Sequence, residues 1–149
     1  MTQEEKQLLL QDICARVPYH PKGHVVNSCN GAQCDEWLTC ATFSMFTNVS
    51  NNCRLYLRPM SSMTEKEKHE LERLIHEKLN RNTGQEDNEW TPWVLYDTTG
   101  IKNYVGGERF YFDEMSFIYD WLDVHHFDYR GLIEKGLALE AKEGMYKNY

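Results

Sequence analysis

Within one stretch, "CRLYLRPMSSMTEKEKHELERLIHEKLN" (53–80), the apolar residues change their period. Cys53, Leu55 and Leu57 alternate with Arg54, Tyr56 and Arg58, which predicts a strand with one apolar face. Pro59 stops it, because proline cannot donate to a ladder. From Thr64 onward, Leu71, Leu74, Ile75 and Leu79 recur at helical spacing in an otherwise charged segment, which predicts a helix lying on a surface. Thr64 and Glu67 have the spacing of a capping box, in which hydroxyl and carboxylate satisfy each other's backbone amides. A one-faced strand followed so closely by a one-striped helix selects an α+β fold over an all-helical or all-β one.

The rest of the chain extends that pattern. Thr2 and Glu5 repeat the capping-box spacing and open a predicted helix over 3–16. Leu9, Leu10, Ile13, Cys14 and Val17 fall on one side of it, and Pro18 and Pro21 end it. In "HVVNSCNGAQCDEWLTCATFSMF" (24–46), Asn30-Gly31 is a strong hairpin signal. The second strand there is long and apolar on both faces, as in a central strand. After the Asn-rich loop "TNVSNN", the strand at 53–58 completes a predicted three-stranded meander. A polar loop at about 80–91 separates this half from a second one. That second half is predicted to hold short strands at 93–97, 101–105 and 109–112. A helix over 114–126 with Asp113 as its N-cap follows, then a helical segment over 129–141 weakened by Gly131 and Gly136. The expectation is a single α+β domain spanning 1–149, its antiparallel meanders packed against three or four helices.

Charge and cysteine usage restrict the partners. Sixteen basic residues face 23 acidic ones, a net charge of −7. A chain of that charge repels phosphate backbones, so nucleic acid is not the expected partner. No apolar run approaches the ~20 residues of a membrane span, and "MTQEEKQLLLQD" lacks the basic start and apolar core of a signal peptide. The expected compartment is the cytoplasm, where the five cysteines are thiols.

Candidate chemistry concentrates in "DWLDVHHFDYRGLIEKGLALEA" (120–141). Extended at 100° per residue, the 114–126 helix places His125 in the middle of its apolar arc and His126 at the edge. His125 is then a hydrogen-bonded core histidine. Adjacent histidines diverge too far to chelate one metal; His69 and His76 are two turns apart and expected in solvent. "HHFDYRG" reads as a joint between helices, with Phe127 beside Trp121 and Asp128 accepting from the amides of Arg130 or Gly131. Cys29, Cys34, Cys40 and Cys53 have four, five and twelve residues between them. No C-x₂-C knuckle occurs, so core packing is favoured over a zinc site. There is no G-x-S-x-G elbow, and "VGGERF" matches no phosphate-binding loop. No catalytic residue, metal or cofactor is expected. The aromatic-rich segment from Trp90 to Phe112 cannot bury every ring on one sheet face, which leaves two readings: a sheet covered by helices on both sides, or an exposed patch that favours a homodimer. The residues placed at an interaction surface are Trp93, Phe110, His126, Tyr129 and Arg130.

Two segments, "YLRPMSSMTEKEKHEL" (56–71) and "DWLDVHHFDYRGLIEKGLALEA", resemble a family of small uncharacterised proteins from gut-bacterial genomes and their prophage-like elements. The resemblance implies a bacterial, cytoplasmic accessory protein of mobile-element or phage origin, and supplies no activity, cofactor or catalytic residue. The expected function is a non-enzymatic protein-interaction module. The alternative is a small enzyme or metal-binding protein using His125, His126 and Asp128 or the cysteine cluster.

Overall fold

The computed structural model describes residues 1–48, 51–83, 93–97, 100–104 and 116–146, with 51, 76, 78–83, 93–97 and 100–104 as backbone, so that the side chains of His76 and Leu79 lie outside the description. Helix α1 (Gln3–Arg16) begins where the sequence places it. Thr2 Oγ1 accepts from the Glu5 amide, and the Glu5 carboxylate accepts from the Thr2 amide at 2.6 Å. Strands β1 (Lys22–Asn27) and β2 (Gln33–Trp37) follow as an antiparallel pair. Their connection is longer than a two-residue turn. The Asn27 amide donates to Ala32 O, the Asn27 side chain accepts from the Cys29 amide, and Gly31 takes φ 69° to close the loop.

The chain then departs from the predicted long central strand. Thr42 Oγ1 donates to Trp37 O, and Thr39 and Thr42 cap each other's amides, so the backbone turns instead of continuing the ladder. A short helix α2 (Phe43–Thr47) follows. It lays the Phe46 ring over Gly23 of β1, where any added Cβ would run into the ring. Close packing of helix on strand there requires a residue without a side chain.

Strand β3 (Asn51–Leu57) has the predicted apolar face, with Cys53, Leu55 and Leu57 buried together, but of the opposite set only Arg54 is exposed: Tyr56 is buried and Arg58 half-buried, because that face is covered as well. It pairs with β1 and not with β2, so the order of these three strands is β2-β1-β3 and the sheet is not a sequential meander. The short β2 forms one edge. Strand β6 (Leu139–Glu140) runs parallel to β3 on the other side, with Tyr56 opposite Leu139 and Leu57 opposite Glu140. Helix α3 (Glu65–Thr83) carries the second capping box, with Thr64 Oγ1 accepting from the Glu67 amide and Glu67 from the Thr64 amide. Strands β4 (Trp93–Asp97) and β5 (Gly100–Tyr104) make a separate antiparallel hairpin. The predicted third strand at 109–112, Asp113 and most of the polar loop lie outside the described residues. Helix α4 (Ser116–Val124) touches both α1 and α3. The molecule is thus an α+β protein, with four α-helices, a mixed four-stranded sheet and a two-stranded hairpin among the described residues.

The predicted helix over 129–141 does not form. The Asp128 carboxylate accepts from the amides of Leu132 and Ile133, both at 2.8 Å, and not from those of Arg130 or Gly131, two residues earlier, as expected. Gly131 and Gly136 each take φ 67°, outside the helical region, and Leu132 O receives the amides of Leu137 and Ala138. The chain then extends to join β3, with the Ala141 amide donating to Leu57 O. Long-range pairing and two left-handed glycines defeat the local helical pattern. Gly131 is used for its backbone conformation; an added Cβ there would meet only the end of Lys135.

Two apolar clusters result. One joins Leu9 and Ile13 of α1 to Val25, Phe46, Leu55 and Leu132 on the sheet side. The other joins Leu71 and Ile75 of α3 to Ile118, Trp121 and Leu122 of α4 and to Phe127.

Candidate functional site

The buried stripe of α1 is Leu9, Asp12, Ile13 and Arg16; Leu10 and Cys14, expected on it, are exposed. Half of that stripe is charged. Arg16 has no exposed surface, with Nε donating to Asp12 Oδ2 at 2.9 Å and Nη2 to the carbonyl of Phe127 at 2.7 Å. Its Nη1 lies 3.2 Å from Asp123 Oδ1, a charge contact without hydrogen-bond alignment, so both of those atoms lack a hydrogen-bond partner. Arg130 Nη1 donates to the other oxygen of Asp12 at 2.6 Å. Tyr129 donates to Asp123 Oδ2 at 3.4 Å, and its ring has the Arg16 and Arg130 guanidinium groups 5.5 and 4.7 Å from its centre. Arginines and carboxylates alternate through the cluster and balance in charge.

Burial dominates the electrostatics. Alone it would lower the Arg16 pKa, but Asp12 and Asp123 more than offset it, and the guanidinium is held charged above its ordinary range. Asp123 is pushed up by burial, against the pull of Arg16. Tyr129 is pushed up by burial and by Asp123. Such a network stabilises little relative to an apolar replacement, but losing one member strands the others in a dry interior.

Beside it, the chain leaves α4. Helical geometry ends at Val124, and His126 takes φ 59°, the left-handed region. That rotation carries His126 inward, to 2 % exposure, with its ring 3.9 Å from that of Tyr146. His125 is only half-buried; it stacks on Trp121, with Nδ1 2.8 Å from Trp121 O. The two histidines have therefore exchanged the places the helical projection assigned them, because that projection does not apply past the last helical residue. His126 Nδ1 is buried without a hydrogen-bond partner. Burial first, then Arg16, His125 and Arg58, push its pKa down to about 3, so the ring is neutral at pH 7. Phe127 packs on Trp121 as predicted, with centroids 5.9 Å apart.

The two sequence segments that carry the resemblance meet here. Arg58 donates its amide to His126 O and accepts the Asp128 amide, while its guanidinium sits 4.2 Å over the Phe127 ring and binds Glu67 at 2.7 and 3.0 Å. One unit is thus built from the end of β3, the start of α3 and the 126–141 segment.

Of the residues expected at an interaction surface, His126 and Tyr129 are buried and Arg130 is half-buried against Asp12. Phe110 and the side chain of Trp93 lie outside the described residues, as does the expected aromatic patch. The cysteines do not share one buried cluster. Cys53 is buried and pushed up to about 11, mainly by burial; Cys34 is half-buried, and Cys29 and Cys40 are exposed. Among the described residues, no three His, Cys, Asp or Glu side chains are grouped so as to hold a metal ion. His69 is exposed beside Glu72. Asp12 and Arg16 were missed from the sequence. Their signal was there: a carboxylate and a guanidinium four residues apart, interleaved at helical spacing with Leu9 and Ile13.

Among the cavities that the described residues line, two open on the surface near these elements. One, of about 590 Å³, runs beside α1, with Leu9, Ile13, Phe46 and Leu137 at its base and Lys6, Leu10, Arg54 and Lys135 among its lining. The other, of about 710 Å³, lies between residues 58–70 and 140–146 and is lined by charges of both signs, Arg58, Lys66, Glu70 and Glu143 among them. Neither is lined by Asp12, Arg16, Asp123, His126, Asp128 or Tyr129. No helix among the described residues is long and apolar enough to cross a membrane. No protein-family model, curated protein or solved structure matches this chain.

Proposed function

We propose that this protein is a non-enzymatic protein-interaction module, a bacterial accessory protein whose mobile-element origin is suggested by the two resembling segments. The observation that carries the reading is the separation of its polar cluster from its open surface. Asp12, Arg16, Asp123 and Tyr129 contact one another, Asp128 is engaged by two backbone amides and His126 is buried against Tyr146; none of the six lines either cavity described above, whereas general acid–base chemistry needs a group within hydrogen-bond reach of a substrate. The surface cavity beside α1 instead offers apolar side chains, and of the large hydrophobics exposed among the described residues, Met1 at 60 % and Leu10 at 47 % line it and Val124 at 47 % does not. An apolar patch with a polar rim is the usual mark of a protein contact.

The test is co-purification of cross-linked complexes from gut-bacterial lysate, using the wild type and the variants Leu10→Glu and Val124→Glu. One protein retained in stable stoichiometry by the wild type and by Val124→Glu, and lost with Leu10→Glu, is the expected result. Capture indifferent to Leu10→Glu overturns the reading. So does turnover of a small molecule that disappears on His126→Gln while the melting temperature holds.

A further inference from the structure

We propose that the groove along α1 receives an acidic, amphipathic segment of a partner protein. The inference rests on the interaction-module reading and adds the chemistry of what is bound.

The groove's shape comes from α1 itself. Glu5, Lys6, Leu9, Leu10 and Ile13 lie along one side of that helix and form one wall. The opposite wall is the end of α2, the start of β3 and the turn at 135–137. From residue 5 to residue 13 a helix rises about 12 Å, so the wall is long enough for two turns of a helix laid beside it. The base is apolar, formed by Leu9, Ile13, Phe46 and Leu137, all buried, while Leu10 stands exposed at the rim. An amphipathic helix in such a groove would place its apolar residues on this base.

The charge of the rim selects the partner. The whole chain carries −7, yet Lys6, Arg54 and Lys135 line this cavity and outnumber its one carboxylate, Glu5. That carboxylate is turned back onto the Thr2 amide as half of the capping box. Lys6 and Arg54 are exposed and, among the described residues, have no ion-pair partner. Lys135 folds its ammonium onto the carbonyls of Arg130 and Gly131, leaving a third donor available. A locally basic rim on an acidic protein repels basic segments and draws acidic ones, setting specificity and on-rate. A second copy of the chain is the poorer occupant, because a groove-to-groove contact would set the Lys6, Arg54 and Lys135 rims of the two copies against each other. The cavity beside residues 140–146 makes a contrast within the molecule: it is larger, but its three cations, Arg58, Lys66 and Lys142, face four carboxylates, Glu67, Glu70, Glu140 and Glu143, so it has no basic excess.

The experiment is fluorescence anisotropy with two labelled synthetic peptides of ~16 residues, each about 24 Å long as a helix. Both carry the same leucine stripe; one has glutamates on its polar face and the other has lysines. The acidic peptide is expected to bind the full chain at micromolar concentration and to weaken as salt rises. Binding is expected to fall at least about tenfold with the pair Lys6→Glu and Arg54→Glu, to vanish with Leu10→Glu, and to survive Val124→Glu. The substituted positions are exposed, and melting curves matching the wild type verify that each variant folds. Equal or tighter binding of the lysine peptide overturns the proposal, as does acidic-peptide binding indifferent to Leu10→Glu. A dimer in light scattering that Leu10→Glu dissolves assigns the groove to a second copy and also overturns it. If no acidic peptide binds while a cellular partner is still lost with Leu10→Glu, the partner chemistry is wrong and the interaction-module reading stands.

Discussion

Helices α1 and α3 open with the same device, a threonine and a glutamate three residues on, and then bury opposite chemistry. On α3 the buried positions are Leu71 and Ile75, and they meet Ile118, Trp121 and Leu122 of α4. On α1 the buried positions alternate apolar with charged, and Asp12 and Arg16 find their partners 118 and 111 residues away, in Arg130 and the carbonyl of Phe127. Apolar contact is non-directional and accepts many arrangements that exclude water. A buried guanidinium accepts very few, because every donor left unmatched costs free energy. The α1 seam therefore fixes which late segment lies against the first helix, and the α3 seam supplies burial. The caps differ in the same way. Glu5 serves only its helix terminus, whereas Glu67 also binds Arg58, which stacks on Phe127. One cap is local; the other ties a helix to the core.

Arg16→Met should have the largest effect. It leaves Asp12 and Asp123 buried beside lost counter-charges and should cost about 3–5 kcal/mol in chemical denaturation. Adding Asp12→Asn and Asp123→Asn to that variant should recover part of the loss, because the penalty belongs to stranded charge and not to missing volume. On α3, Leu71→Ala should cost about 2–5 kcal/mol through transfer and cavity terms, and no second polar substitution should restore it. If the charge-neutralising changes fail to rescue Arg16→Met, the contrast between the two seams collapses.

The buried histidine gives a pH signature. Its folded pKa, about 3, lies below the ordinary value of 6.5, so the unfolded chain binds the proton more readily across that interval. Stability is therefore retained above pH 6.5 and lost as pH falls toward 3. The loss should be on the order of 1–2 kcal/mol by pH 5. Asp123 works the other way: its folded pKa is raised, so its contribution is present at low pH and is lost as pH rises through that pKa. The comparison is therefore with His126→Asn, since asparagine tolerates the left-handed backbone and does not titrate there. Its stability curve should be flatter between pH 6.5 and 4 than that of the wild type. Curves of the same slope would show that His126 is not the titrating group.

The two caps give the smallest effects. Glu67→Gln should cost about 1 kcal/mol by thermal melting, because it weakens a paired, partly buried carboxylate as well as a helix start. Glu5→Gln, on an exposed terminus, should cost a few tenths of a kcal/mol. Equal losses would mean that the Arg58 contact adds nothing to the cap.

Sequence reasoning reached these elements unevenly, and range along the chain explains the difference. Both capping boxes, the alternation of Cys53, Leu55 and Leu57, and the contact of Phe127 with Trp121 all join residues within six positions of each other. The sequence also carried Asp12 and Arg16 in view, but a carboxylate and a guanidinium on a helix are ordinarily solvated, and nothing within α1 says that Arg130 and Asp123 will close over them. The His125–His126 pair failed for a sharper reason. One backbone torsion at 59° reverses which ring points inward, and a helical wheel assumes that torsion away.

By itself, then, the sequence determined the α+β class, the starts of α1 and α3 and the apolar face of β3, since each depends on bonds spanning a few residues; it marked Asp128 as an acceptor of backbone amides but named the wrong amides and the wrong element. Only the tertiary structure decided that β3 pairs with β1 and with β6, that 129–141 is a looped return and not a helix, and that α1 carries a buried charge seam. Each of these depends on partners more than fifteen residues away or on a left-handed torsion that pays its local strain from contacts elsewhere.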